Sequence, residues 1–198
     1  GIISSKEQAM TGLEMEKLSD EQFEKVIEHV FVYARVQPEH KTRIVNTWKK
    51  KGKVVAMTGD GVNDAPSIKS ADIGIGMGIT GTEVTKNVAD MVLQDDNFAT
   101  ITVAIEEGRK IYDNIKKAIQ FLLASNFAEV IAIFIATLCG FTLLEPTHLL
   151  WINLITDSLP ALALGLEQGE ADIMKRKPRS EKEGLFANGM ALDIFVQG

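Results

Sequence analysis

The seven residues TGDGVND, Thr58 to Asp64, place two carboxylates four positions apart in a turn that two glycines make tight. Gly59 and Gly61 allow close backbone approach to a ligand. Asp60 and Asp64 supply the hard oxygens that suit Mg²⁺, an ion commonly shared with a phosphate. Turn chemistry and helix capping are the plainer roles for such aspartates, and they apply to Asp64. They apply less well to Asp60, which the pattern puts at the end of a buried strand, where a carboxylate needs a partner. A second oxygen-bearing group lies in apolar surroundings. Asn126 and Glu129 are three apart, and Asn153, Thr156 and Asp157 fall at i, i+3 and i+4, so each set shares a helix face. A charge at a bilayer centre costs roughly 3 kcal/mol or more, which makes function the first reading of Glu129 and a protonated or paired packing glutamate the second. Together the five form an all-oxygen set with two charges, chemistry that selects hard cations such as Ca²⁺ over Zn²⁺ or Cu⁺. Cys139 reads as core packing and His148 as interfacial.

The elements that must position these residues follow from periodicity. LSDEQFEKVIEHV reads as a helix with Ser19 as N-cap and Gln22 at the capping-box position, after a strand end and loop in GIISSKEQAMTG. The compact runs 30–36, 53–57, 72–77 and 91–94 read as strands. A helix begins at Pro38, carries Ile44, Val45 and Trp48 on one face and stops at Gly52. APSIKSA and TGTEVTKNVA supply two more helices. Strand and helix alternate about every 20 residues, which predicts a parallel sheet with helices on both faces. Ligands of such sheets sit at the carboxyl ends of the strands, and here those ends carry Arg35, Asp60 and Asp95.

From Asp96 to Leu144 no proline intervenes, and the pattern predicts one continuous helix on the order of 70 Å long. Its first half is charged. Its second half, 118–144, has Glu129 as its only charge and is long enough to span a bilayer. Gly140 and Pro146 allow a turn into a second apolar run, 146–166, in which Asp157 is the only full charge and Pro160 loosens the helix. Broken membrane helices tend to line ion sites. Arg109, Lys110, Lys116 and Lys117 precede the first run, and Lys175, Arg176, Lys177 and Arg179 follow the second, while the link between has no Lys or Arg. The positive-inside rule then puts both outer ends in the cytoplasm. The net charge of −6 carries no basic stripe with interleaved aromatics, so nothing points to nucleic acid. A single cysteine excludes an intrachain disulfide framework.

The segments ARVQPEHK (34–41), MTGDGVNDAPSIKSADIGIGMG (57–78) and DDNF (95–98) together resemble the P-type cation-transporting ATPases, which are built on a haloacid-dehalogenase-like phosphorylation domain. The resemblance implies that Lys41 contacts the acyl phosphate, that Asp60 binds Mg²⁺ and that Asp64 completes the acidic cluster. It places Asn63 and Arg35 near the phosphoryl or nucleotide groups. Spacing alone would read Lys41 as a solvated helix lysine. NFAEV (126–130) and NLITDSLPALALG (153–165) resemble the fifth and sixth membrane helices of the calcium-pump branch, with Asn126, Glu129, Asn153, Thr156 and Asp157 as the cation ligands. With both Glu129 and Asp157 present, the set is more similar to two-ion reticulum-type pumps than to the one-ion plasma-membrane type.

The fold implied is an α/β Rossmann-like partial domain followed by a stalk helix and an α-helical transmembrane hairpin. Residues 1–95 would be the later part of the phosphorylation domain, 96–117 the stalk, 118–144 and 146–166 the two membrane helices. Residues 167–189 would be a cytoplasmic loop, read equally as a docking loop or a solvated basic linker, and 190–198 the start of a further span. The implied ligands are Mg²⁺, ATP and transported Ca²⁺; the implied partners are the membrane and the rest of the same pump chain. The implied location is a multi-pass protein of a bacterial cell membrane, its phosphorylation domain in the cytoplasm. Coupling would run through the long helix, from phosphorylation near Asp60 to Glu129 and Asp157.

Two departures qualify the match: the sequence contains neither the family's DKTGT segment, which carries the phosphorylated aspartate, nor the further TGD segment that the resemblance puts shortly before residue 1. With no opening methionine and MALDIFVQ starting another apolar stretch, the chain reads as a piece of a longer protein, and alone it is expected to show no ATP turnover. Na⁺/K⁺, H⁺ or Mn²⁺ pumps, a soluble haloacid-dehalogenase-like phosphatase, and a non-enzymatic cation-binding membrane protein are the competing readings.

Overall fold

The computed structural model describes residues 2–180, 183–187 and 189–198, which divide into two units, Gly1–Ile101 and Thr102–Gly198. The first unit opens with β1 (Ala9–Thr11) and α1 (Gly12–Glu16), whose N-terminus Thr11 and Glu14 cap reciprocally at 3.3 and 2.8 Å. That cap was not expected in what read as a loop. α2 (Asp20–Val26) starts where the capping box predicts: Ser19 Oγ accepts from the Gln22 amide at 3.3 Å and Gln22 Oε1 accepts from the Ser19 amide at 2.9 Å. β2 (Val32–Ala34) lies parallel to β1, with Ala9 opposite Val32. α3 (Pro38–Lys50) begins on its proline and is followed by Gly52 at φ +73°. Ile44 and Trp48 of α3 cover a core of Met15, Phe23 and Ile27, and Val45 is itself buried.

A second set follows: β3 (Ala56–Gly59), α4 (Ala65–Ser70), β4 (Ile73–Met77), α5 (Glu83–Val88) and β5 (Met91–Leu93). The three strands are parallel in the order β3-β4-β5, around Ile75, Met77 and Leu93. Every ladder is parallel, as expected, but the described strands form two sheets of two and three strands rather than one. α3 ties them: Lys49 Nζ donates to the Ser70 carbonyl at 3.0 Å and pairs with Asp72 at 2.9 Å, while Ser70 Oγ donates to Asn46 at 2.8 Å. β3 also starts three residues later than expected. The Asp72 carboxylate takes the Val55 amide at 2.8 Å, so the ladder opens only at Ala56 opposite Ile73.

α6 (Phe98–Leu138) runs unbroken for 41 residues, about 60 Å. It ends six residues before the expected Leu144. Gly140, at φ +81°, donates to Thr137 O at 3.1 Å and Phe141 donates to Ala136 O at 3.1 Å, the paired bonds of a Schellman stop. In the second unit the return leg comprises α7 (Pro146–Trp151), a π-helical turn (Ile152–Asp157) and α8 (Ser158–Gly165). Hydrogen bonds join Asn114 to Gly165, Ser125 to Asp157 and Glu129 to Asn153, so the return leg runs antiparallel to α6. The return leg carries a π turn just before Pro160, where the helix was expected to loosen. α9 (Met190–Gln197) packs Phe195 against Phe127 with ring centroids 5.6 Å apart.

One core group has a pH signature. Tyr33 Oη is buried with no hydrogen-bond partner, and burial pushes its phenol up to about 12. The neutral form is favoured in the fold, so its contribution to stability is intact below pH ~10 and is lost as pH rises through about 12. Tyr33→Phe removes an unpaired buried hydroxyl; it should leave stability at pH 8 unchanged or raise it by about 1 kcal/mol, and should flatten the alkaline loss. Thermal unfolding at both pH values checks this; a fall at pH 8 would show that the hydroxyl has a partner.

Candidate functional site

The strand-to-helix turn after β3 holds the first group. Asp64 is buried, and its carboxylate pairs with Lys41 Nζ, which α3 carries on its first turn. Its other oxygen accepts weakly from the Gly61 amide at 3.4 Å. Asp64 sits at the N-cap of α4 but makes no side-chain cap bond to that helix. Gly59 is required by packing: a Cβ there would lie 2.9 Å from Asp64 Cγ and Oδ2. Asp60 reverses the expectation for a buried strand end, because it is exposed, and its carboxylate has no hydrogen bond or ion pair with the described residues. Its carbonyl instead accepts from the Thr82 amide at 2.9 Å. Asn63 is exposed beside it. Arg35 is exposed directly after β2 and takes a left-handed φ of +52°, a conformation seen at few non-glycine positions. The Lys41–Asp64 pair shows that Lys41 is not simply a solvated lysine. Arg35 and Asn63 make no contact with that pair. Among the described residues no group of three His, Cys, Asp or Glu side chains is gathered for a metal, so Asp60 and Asp64 form a partial set. An exposed carboxylate free of protein partners beside a second, cation-paired one fits a Mg²⁺ shared with phosphate oxygens.

The second group lies in the second unit. Asp157, at the end of the π turn, is 3% exposed, and Ser125 Oγ lies 3.0 and 2.9 Å from its two oxygens. Glu129 Oε2 accepts from Asn153 Nδ2 at 3.1 Å, while its Oε1 is buried with no partner. One oxygen of a carboxylate that is left bare in a buried place is an open ligand position. Ser158 Oγ donates to the Asn153 carbonyl at 3.0 Å and so holds the π turn. Asn126 and Thr156 are not drawn into these contacts. Asn126 Nδ2 turns back to the Leu122 carbonyl at 2.7 Å, and both residues are exposed. Of the five predicted ligands, then, Glu129 meets Asn153 directly and Asp157 meets Ser125. Ser125 was missed, although it is four residues before Glu129 and shares its face.

The link after α8 is exposed over 167–180 except at Ile173, yet it is tied to α6 at several points. Asn114, 3% exposed, donates to the Glu167 carbonyl at 2.8 Å; Lys117 pairs with Glu167 at 2.6 Å; Arg109 donates to the Ile173 and Arg176 carbonyls at 2.8 and 3.0 Å. Arg176 pairs with Asp113 at 2.8 Å, with Asp172 at 3.1 Å and with Glu170, and the Arg179 guanidinium lies 3.9 Å over the Tyr112 ring. Both predicted basic clusters therefore lie along one stretch of α6. Periodicity could not show this, because several of the acceptors are backbone carbonyls and the carboxylates lie far apart in sequence.

The tightness at Gly59 is open to test. Gly59→Ala should destabilise the protein by roughly 1–3 kcal/mol through overpacking against Asp64. A thermal midpoint equal to that of the parent would contradict the placement of Asp64.

Comparison with known proteins converges on one family. Residues 1–72 match the model for haloacid dehalogenase-like hydrolase, and residues 141–198 match that for the C-terminus of cation transporting ATPase. A calcium-transporting ATPase of Bacillus cereus is 54% identical over 196 residues, covering 98% of this chain and 22% of that protein. One from Bacillus subtilis is 54% identical over 96% of this chain and 21% of its own length. One from Listeria monocytogenes is 50% identical over 100% of this chain and 22% of its own. The chain thus spans about a fifth of the length of these relatives. With the TGDGVND turn on a parallel α/β unit, and with Glu129 on α6 and Asp157 at the end of the π turn, the chain belongs to the P-type cation-transporting ATPases.

Proposed function

We propose that the chain is the later part of a phosphorylation domain, a stalk and a membrane hairpin of an ATP-driven Ca²⁺ pump. The observation that carries this reading is that α6 and the return leg each hold an incompletely satisfied carboxylate, part-buried Glu129 on the first and buried Asp157 on the second. Asp157 has only a serine hydroxyl, and Glu129 leaves one oxygen bare. Buried charge on this scale needs a cation or a proton. The ligand set is all oxygen, which favours Ca²⁺ over thiolate-seeking metals, and similar proteins are named calcium-transporting ATPases.

α6 supplies the one helix, among the described residues, that is long and apolar enough to cross a membrane, with mean hydropathy 2.0 over its most apolar window. Val130, Phe134, Ile135 and Leu138 are each more than half exposed, a face suited to lipid. The return leg 146–166 crosses back, and the two basic clusters stay on the cytoplasmic side. In the phosphorylation unit, Mg²⁺ held by Asp60 would neutralise charge building on a transferring phosphoryl group. Lys41 offers a cation to the phosphoryl oxygens, and Asp64 holds its ammonium on station. Asn63 and Arg35 line the same end of the strands and serve the phosphoryl or nucleotide groups. Asn126 and Thr156 join Glu129, Asn153 and Asp157 as ligands once a cation is bound. α6 carries the state of one site toward the other as a continuous element, which is what coupling requires.

Asp157→Ala in the complete pump should abolish Ca²⁺-dependent phosphorylation by ATP while leaving phosphorylation by inorganic phosphate without Ca²⁺. Normal Ca²⁺ activation of phosphoenzyme in that variant would remove Asp157 from the site.

A further inference from the structure

The DDNF segment precedes α6, and its two aspartates do different things. Asp95 serves the helix. It accepts from the Asn97 amide at 3.1 Å and from Thr100 Oγ1 at 2.6 Å, while Asn97 Oδ1 takes the Ala99 amide at 3.0 Å. Asp96 turns away from the helix. Its Oδ1 accepts from the Ile79 amide at 3.0 Å, and its Oδ2 accepts from the Thr80 amide and hydroxyl, both at 2.7 Å. These bonds favour the ionised carboxylate and hold the Asp96 group down at about 2.

Asp96 reaches that loop at a backbone cost, since its φ is +50°. The loop it grips is tightly placed: a Cβ on Gly78 would lie 2.9 Å from Gln94 Cα, and one on Gly81 2.9 Å from the Met77 carbonyl carbon. Two residues past Thr80, the Thr82 amide donates to the Asp60 carbonyl at 2.9 Å, and the buried Thr85 hydroxyl reaches the same carbonyl at 3.4 Å. Three loop residues, bonded at both ends, therefore stand between the Asp60 backbone and the carboxylate that precedes the long helix.

We propose that Asp96 is a positioning residue which latches the Gly78–Thr82 loop to the start of α6, so that the Asp60 backbone and the first turn of the helix move as one piece. The inference rests on the pump reading for its consequence, not for its geometry. Asp95 and Asn97 fix the first turn of α6 to the peptide that carries Asp96. The latch then transmits any displacement of Asp60 to that turn, and in the other direction sets where Asp60 presents its carboxylate to Mg²⁺.

The test uses the full-length pump in membranes, with Asp96→Ala and the milder Asp96→Asn. Amide hydrogen exchange is read at Ile79, Thr80 and Thr82, and Mg²⁺ half-activation of the phosphoenzyme is read at saturating Ca²⁺. Losing a charge-assisted acceptor should raise exchange at all three amides in Asp96→Ala by about tenfold or more. Mg²⁺ half-activation should shift to higher concentration in that variant, with Asp96→Asn between it and the parent. A role in stability alone would reduce the amount of phosphorylatable protein without moving Mg²⁺ half-activation. Faster exchange at Ile79 and Thr80 with Thr82 unchanged, or an unmoved Mg²⁺ half-activation, would overturn the latch. If Asp96→Ala does not fold, Asp96→Asn decides by the same two readouts. If the parent forms no Ca²⁺-dependent phosphoenzyme, the pump reading falls, and exchange at Thr82 still decides whether the latch reaches Asp60.

Discussion

A carboxylate withdrawn from water must be met by a compensating charge or a full set of donors, and this chain meets that demand unequally. Asp64 is answered within the protein, by the Lys41 ammonium. Asp157 is answered only by a hydroxyl, and Glu129 by one amide donor with an oxygen left over. The first arrangement is a finished ion pair that fixes a cation beside an exposed aspartate. The second is unfinished, and a cation or a proton would complete it.

The helix that bears Glu129 is built to be continuous. Asp95 and Asn97 satisfy its first turn, a Schellman pair at Gly140 closes its last, and no proline interrupts the 41 residues between. The return leg is built the other way. Its π turn ends on Asp157, is held by Ser158, and is followed three residues on by Pro160, which has no amide to give. A rigid element faces a locally irregular one, with part-buried Glu129 on the first and buried Asp157 on the second.

Local chemistry in the sequence foretold the elements well where a single residue decides them. Ser19 with Gln22, Pro38 and Gly52 marked two helices whose ends the structure repeats. Boundaries governed by distant groups were not legible. Val55 looks like strand in KVVAM, but the Asp72 carboxylate, seventeen residues on, takes its amide. Gly140 was read as a place where the chain can turn, yet the helix was carried on to Leu144 because the apolar run continues; the stop at Leu138 depends on φ +81° at Gly140, which composition does not reveal. In the site, carboxylates announced themselves because charge is rare in apolar runs. Ser125 did not, since a serine in LLASNF resembles ordinary small-residue packing. Asp60 was read as a buried strand end, and the three-stranded sheet that β3 edges leaves it open instead.

The most direct test of the central claim is phosphoenzyme formation from labelled ATP by the full-length pump in membranes, titrated separately with Ca²⁺, Mn²⁺, Na⁺ and K⁺. An oxygen-only site that holds the Glu129 and Asp157 carboxylates predicts that Ca²⁺ at micromolar concentration switches phosphorylation on and that Na⁺ and K⁺ do not. Phosphoenzyme that forms fully with no Ca²⁺ present would contradict the account and give Glu129 and Asp157 to another ion.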